Sequence, residues 1–276
     1  MQVIGLQIDS VWENKAANHD KVLSLLDKAK PPAGALVVLP EMFATGFSMN
    51  VAAIHDESRE TQDFLSRAAA ERNIYLMGGV VMRDEATGRG RNEAVVYSPE
   101  GREIARYCKL QPFTLGGESE HYMAGERVCL FECREFTVAP FICYDLRFPE
   151  LFRKAAARGA NLIVVIASWP AVRDDHWATL LKARAIENLA YVAGVNRCGQ
   201  DPKHYHSGRS LVYDPHGRAV ADAGGEEGWV KAQLELQSLL DWRQSFPALG
   251  DMRQDFNFQT TAPPGGQDGG VNRQSL

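Results

Sequence analysis

Residues 135–167, EFTVAPFICYDLRFPELFRKAAARGANLIVVIA, decide the fold. Glu135 to Ile142 is an apolar run of strand length, and Pro149 to Ala157 is a helix opened by proline and closed near Gly159. Asn161 to Ala167 is a second apolar strand. Two apolar strands around one helix read as a βαβ unit, in which both faces of the strands are covered.

The same alternation extends in both directions. QVIGLQI at 2–8 precedes an amphipathic helix from about Asn14 to Lys28, and ALVVLP at 35–40 is a fully apolar strand. Ser58 to Arg72 reads as a helix with Ser58 as its N-cap, followed by a strand over Ile74 to Met82. Residues 92–109 read as a hairpin turning at Pro99-Glu100-Gly101. Downstream, a helix from Asp174 to Asn188 leads to a strand at Ala190 to Val195, with further strands near Ser210 to Tyr213 and Trp229 to Leu236. Some dozen strands strain a single open sheet. The expectation is therefore an α/β protein with two mixed sheets covered by helices. No linker divides the chain, so residues 1–258 are expected to form one domain. Residues 259–276, rich in Gly and Pro, lack the apolar anchors needed to offset the entropy of ordering and are expected to form a tail.

Composition narrows the function classes. The 276 residues are 45% hydrophobic, 24% charged and 9% aromatic, ordinary for a soluble globular chain. Thirty Lys+Arg against thirty-five Asp+Glu leave a formal charge of −5, with no basic excess for nucleic acid or anionic lipid. Neither an export signal nor a membrane span is expected. Five cysteines are an odd and sparse set, which points to a reducing, cytoplasmic setting. Cys129 and Cys133 have no companion pair with zinc spacing. His204 and His206, beside Asp201-Pro202-Lys203, read as surface residues of a polar loop, while His121 and His176 fall near candidate site segments. Phosphate-loop and dinucleotide-binding glycine patterns are both absent, so no metal or cofactor is expected.

Three residues carry chemistry because each stands just beyond a hydrophobic strand, where α/β sheets place their sites. Glu41 follows Leu39-Pro40; alone it reads as an exposed turn carboxylate. Cys143 ends an apolar strand and precedes a turn and a helix, the topology of a nucleophile elbow. Such a turn aims backbone N–H groups at the sulfur and favours its thiolate, although a lone strand-end cysteine also reads as a small buried hydrophobe. Lys109 closes the hairpin, and Glu118 and Glu120 follow it in a Gly-rich loop.

LPEMFATGF around Glu41, YCKLQPFTLGGESEHYMAGE around Lys109 and FICYDLRFPELFR around Cys143 resemble the three signature blocks of the nitrilase superfamily of carbon–nitrogen hydrolases. The chain is most similar to its omega-amidase branch, over about residues 1–258. The resemblance implies an αββα four-layer sandwich that pairs with a second subunit, with Glu41 as general base, Lys109 as the family lysine, Cys143 as nucleophile and Glu118 as the second glutamate. It implies hydrolysis of the side-chain amide of 2-oxoglutaramate or 2-oxosuccinamate without a cofactor. The backbone N–H of Tyr144 is expected to join Lys109 in holding an oxyanion. Arg147 is a candidate for the substrate carboxylate, with a structural salt bridge in its own turn as the other reading. Trp169 is a pocket wall or a core-capping aromatic, and Phe43, Phe113 and Tyr144 are candidates to confine a small substrate. Other aliphatic amides, N-carbamoyl compounds and nitriles remain open as substrates, as does a silent binding protein on the same fold.

Overall fold

The computed structural model describes residues 1–253. The expected tail, 259–276, lies outside the described residues. In chain order the strands are β1 (Gln2–Gln7), β2 (Leu36–Val38), β3 (Tyr75–Arg83), β4 (Gly90–Tyr97), β5 (Glu103–Cys108), β6 (Tyr122–Met123), β7 (Phe131–Cys133), β8 (Phe136–Ile142), β9 (Leu162–Ala167), β10 (Tyr191–Asn196), β11 (Cys198–Gln200), β12 (Tyr205–Ser207), β13 (Leu211–Tyr213), β14 (Ala219–Asp222) and β15 (Gly228–Gln233). The helices are α1 (Lys15–Ala29), α2 (Val51–Ile54), α3 (Glu60–Arg72), α4 (Glu118–His121), α5 (Pro149–Ala156), α6 (Asp174–Asn188) and α7 (Leu236–Ser245).

Two mixed sheets form. The first runs β15-β1-β2-β3-β4-β5 with β6 beside β4, and the second runs β14-β13-β10-β9-β8-β7. Each has a parallel centre, β1-β2-β3 and β8-β9-β10, flanked by antiparallel strands. The period-2 alternation of side chains explains why ALVVLP is apolar throughout. Leu36 and Val38 join the core shared with the second sheet, while Val37 and Leu39 join Val22, Leu25 and Phe64 beneath α1 and α3. On the other side Phe152 of α5 and Trp177 and Leu181 of α6 cover the second sheet. The layers are helix, sheet, sheet, helix. No helix among the described residues is long and apolar enough to cross a membrane.

Local chemistry sets the boundaries. Asn14 caps α1, its side chain accepting from the Ala17 N–H. The expected Ser58 cap is not used. Arg59 occupies the N-cap position of α3, and the buried Asp56 carboxylate accepts from the Thr61 and Gln62 N–H groups at 2.9 and 3.0 Å. An acceptor one turn upstream thus does the work expected of Ser58. The strand expected over Trp229–Leu236 stops at Gln233, and α7, which buries only Leu239, follows it.

Candidate active site

Four strand ends meet where the two sheets face each other. Glu41 follows β2 and Lys109 follows β5 in the first sheet; Cys143 follows β8 and Ser168 follows β9 in the second. Lys109 is held through its main chain, its N–H donating to Asn92 O and its carbonyl accepting from Gly125 N. Its ammonium donates to Glu41 Oε1 and Glu118 Oε2, both at 2.8 Å, and all three side chains are buried. Asn92 Nδ2 donates to the same two carboxylates, at 2.7 Å to Glu41 and 2.8 Å to Glu118. Ser168 N–H donates to Glu41 Oε2 at 2.9 Å. Phe113 N–H donates to Glu118 Oε2 at 2.6 Å, fastening the loop after Lys109 onto the cluster. Glu120, the other carboxylate of that loop, is exposed.

Cys143 opens a short 3-10 turn over Cys143–Arg147 and adopts φ +47°, a left-handed backbone that non-glycine residues rarely take. The turn lifts the side chain from the sheet into a cavity of about 130 Å³, and the residue as a whole is half-buried. At the turn's start the first N–H groups have no intrahelical acceptor.

The electrostatics correct one expectation. Burial, and then the Glu41 carboxylate, push the Cys143 thiol well above its ordinary range. Lys109 and the Ser168 amide pull the other way without prevailing. The resting group is thus a thiol, and the turn does not by itself supply the expected thiolate. Burial opposes charge on Lys109, but Glu118 and Glu41 outweigh it and hold the ammonium firmly protonated. The cluster therefore presents a protonated nucleophile, a carboxylate acceptor and a fixed cation.

The sequence profile of the carbon–nitrogen hydrolase family matches residues 3–244. The chain belongs to the carbon–nitrogen hydrolase family. It is 36% identical over 253 residues to a 2-oxoglutaramate amidase of Bacillus subtilis, covering 91% of this chain and 96% of that one. It is 40% identical over 248 residues to an omega-amidase of Yersinia enterocolitica, covering 89% and 94%. Among solved structures it resembles a CN-hydrolase superfamily protein of Xanthomonas campestris with an arsenic adduct in its active site. There the TM-score is 0.86 and the identity 32%, with 92% and 98% of the two chains covered.

In this carbon–nitrogen hydrolase the cavity above Cys143 is walled by Phe113, Tyr144, Trp169 and Phe47. Phe43 is not among them. It is fully buried beneath α1 and α3, its ring 6.1 Å from His19 and 6.4 Å from Phe64. The left-handed Met42, φ +46°, follows Glu41 directly, and Phe47, four residues after Phe43, is the aromatic that reaches the cavity. Trp169 serves both expected roles, lining the cavity while its ring packs 5.6 Å from Trp177.

Arg147 and Arg173 line the same cavity. The Arg147 guanidinium lies 4.8 Å from the Trp169 ring centroid, and that of Arg173 lies 5.6 Å from Phe113. Arg147 meets His176 Nδ1 at 3.2 Å and has no carboxylate partner among the described residues, so the salt bridge within its own turn does not form. Burial and the neighbouring Arg173 charge both disfavour its protonated form.

In the hydrolase the surface reading holds for His204, which is exposed, and fails for His206. Both line the cavity, and His206 is buried with its Nε2 2.9 Å from Asp201 Oδ2. The hairpin β11-β12 carries this pair. His121 is exposed and outside the cavity lining. Asn92, Ser168, Arg173 and Asp201 were not singled out from sequence. Among the described residues no cluster of three His, Cys, Asp or Glu is placed to hold a metal ion.

Proposed function

We propose that the chain hydrolyses the side-chain amide of small 2-oxo dicarboxylic acid monoamides, releasing the 2-oxo acid and ammonia through a Cys143 thioester. The observation that carries this reading is the Cys143 side chain in a cavity beside the Glu41–Lys109–Glu118 ion cluster, with two arginines in the same lining that have no carboxylate partner among the described residues. Both guanidiniums are half-buried, and a partly desolvated cation gains from a counter-ion. A substrate carboxylate supplies the missing charge and makes charge-assisted hydrogen bonds with guanidinium. Neutral aliphatic amides and nitriles leave the arginines unpaired.

In this mechanism Glu41 removes the Cys143 proton as sulfur attacks the amide carbon. The oxyanion is held by the Lys109 ammonium and the Tyr144 N–H. Protonated Glu41 returns its proton to the departing nitrogen, ammonia leaves and a thioester remains. Glu41 then deprotonates water, which attacks the thioester and releases acid and thiol. Glu118 holds Lys109 in place throughout. Phe113, Tyr144 and Trp169 confine the substrate, while Arg147 and Arg173 take its carboxylate end. No cofactor enters.

The resemblance to the family also implies a second copy of the chain. Ile186 of α6, Leu240 of α7 and Phe246 are exposed apolar residues suited to such a contact, and light scattering tests it. Five free thiols suit a reducing, cytoplasmic setting.

The test is ammonia release from 2-oxoglutaramate, 2-oxosuccinamate, glutamine and an N-carbamoyl amino acid by wild type and Cys143→Ala. Release from the oxo-amides by wild type alone supports the reading. Release only from the carbamoyl compound moves the substrate class, and equal release by the variant rejects the cysteine.

A further inference from the structure

Asp145 stands two residues after the nucleophile, and its side chain is fully buried. Its carboxylate accepts three hydrogen bonds from two directions. Oδ2 accepts from Ile142 N–H at 3.0 Å, immediately before Cys143, and from the Tyr107 hydroxyl at 2.7 Å. Oδ1 accepts from Gln111 N–H at 2.9 Å. Tyr107 and Gln111 bracket Lys109 at the exit of the first sheet, whereas Ile142 ends β8 of the second. One carboxylate therefore ties the turn bearing the thiol to the turn bearing the ammonium. From the other side, Arg184 of α6 donates to Leu146 O at 2.7 Å.

We infer that Asp145 is a positioning residue for the reaction: its ionised carboxylate fixes the Cys143 thiol against the Lys109 ammonium across the junction of the two sheets. The inference rests on the roles proposed above for those two residues.

Only an ionised carboxylate meets all three donors. An asparagine has one acceptor oxygen and an NH₂ that donates. Either orientation sets that NH₂ against a backbone N–H, at Ile142 or at Gln111, and leaves buried donors unsatisfied. Burial pushes the Asp145 carboxyl up to about 7, with Ile142 N–H, the Tyr107 hydroxyl, Lys109 and Gln111 N–H opposing it. The titratable and charged groups that act on it are Tyr107, Cys108 and Lys109 from β5 and its exit, while Cys143 stands two residues away on its own turn and Arg184 of α6 bonds the adjoining Leu146 carbonyl. The clamp is accordingly complete on the alkaline side of neutrality and is lost on the acid side.

The experiment compares wild type, Tyr107→Phe and Asp145→Asn by kcat and KM for 2-oxoglutaramate against pH. A parallel measurement takes the rate of Cys143 alkylation by iodoacetamide, which needs no substrate. Tyr107→Phe keeps the carboxylate and removes one donor, so it tests the clamp even if Asp145→Asn does not fold. Expected for Tyr107→Phe are a kcat about tenfold lower, the scale of one lost hydrogen bond to a charged group, and an unchanged KM. The acid limb of kcat moves to higher pH, because the ionised carboxyl has lost a stabilising donor. Alkylation slows as the ammonium shifts away from the thiol. A wild-type acid limb, kcat and alkylation rate in Tyr107→Phe would overturn the inference, as would a loss confined to melting temperature. If wild type turns over none of the amides, the substrate reading fails, and the alkylation rates still decide the role of Asp145.

Discussion

Gly79 of β3 lies directly beneath Glu41: a Cβ built on Gly79 stands 2.8 Å from Glu41 Cα and 2.8 Å from Pro40 O. The Gly79 N–H also donates to Pro40 O at 3.3 Å, so the loop bearing the proposed base rests on the strand at this point. Met42 N lies closer still, all three contacted atoms are backbone, and no rotamer change relieves the clash. Gly79→Ala is expected to lower kcat more than tenfold by displacing Glu41, since misplacement of about 1 Å costs on the order of a hundredfold. Thermal melting should fall with it. A variant with wild-type kcat would show that this close approach does not position Glu41.

Glu41→Gln separates the two effects of that carboxylate. As base, its loss is expected to reduce turnover by about 10² to 10⁴. As a negative charge it helps push the Cys143 thiol up. Removing it brings the thiol back toward its ordinary range and raises the thiolate fraction. Alkylation of Cys143 near pH 9 should therefore become faster while amide hydrolysis becomes slower. Both rates falling together would contradict the electrostatic account.

Lys109→Met leaves Glu41 and Glu118 buried with Asn92 as their shared donor and no cation between them. Breaking a buried ion pair from one side costs about 3–5 kcal/mol, because the remaining charge is uncompensated. Urea denaturation should report a loss of that order, alongside abolished turnover. Adding Glu118→Gln removes one stranded charge and should recover part of the stability but none of the activity. A stability loss under about 1 kcal/mol in Lys109→Met, the level of an exposed pair, would argue against the cluster.

How much of this was legible in the sequence depends on where each residue finds its partner. The βαβ unit at 135–167 and helix α6 at Asp174–Asn188 carry their signals locally, in apolar runs and a proline at the first turn. Helix α7 has Leu236, Leu239 and Leu240 at helical spacing but buries only Leu239. Asn92, Ser168 and Asp145 are polar residues whose meaning lies in partners 51, 127 and 38 positions away. No local spacing announces them. For Phe43, adjacency to Glu41 in sequence says nothing about direction once Met42 takes a left-handed turn. His206 stands in a polar loop whose composition points to solvent, whereas the β11-β12 hairpin turns it onto the cavity and Asp201 satisfies its Nε2.

Arg147 and Arg173 make the substrate class testable without a ligand-bound structure. If they receive a carboxylate, truncating either removes a charge-assisted hydrogen bond made equally in the ground and transition states. Such a loss raises KM and spares kcat. Arg173→Ala is expected to raise KM for 2-oxoglutaramate about ten- to a hundredfold, the range of a hydrogen bond to a charged group. Arg147→Ala should do the same with some added loss of kcat, because its guanidinium also packs on Trp169, against the cavity wall. Hydrolysis of a neutral amide of similar size should be unaffected or improved in both variants, as the unpaired cations no longer oppose an uncharged ligand. Equal losses on charged and neutral amides would assign the two arginines to the architecture of the cavity.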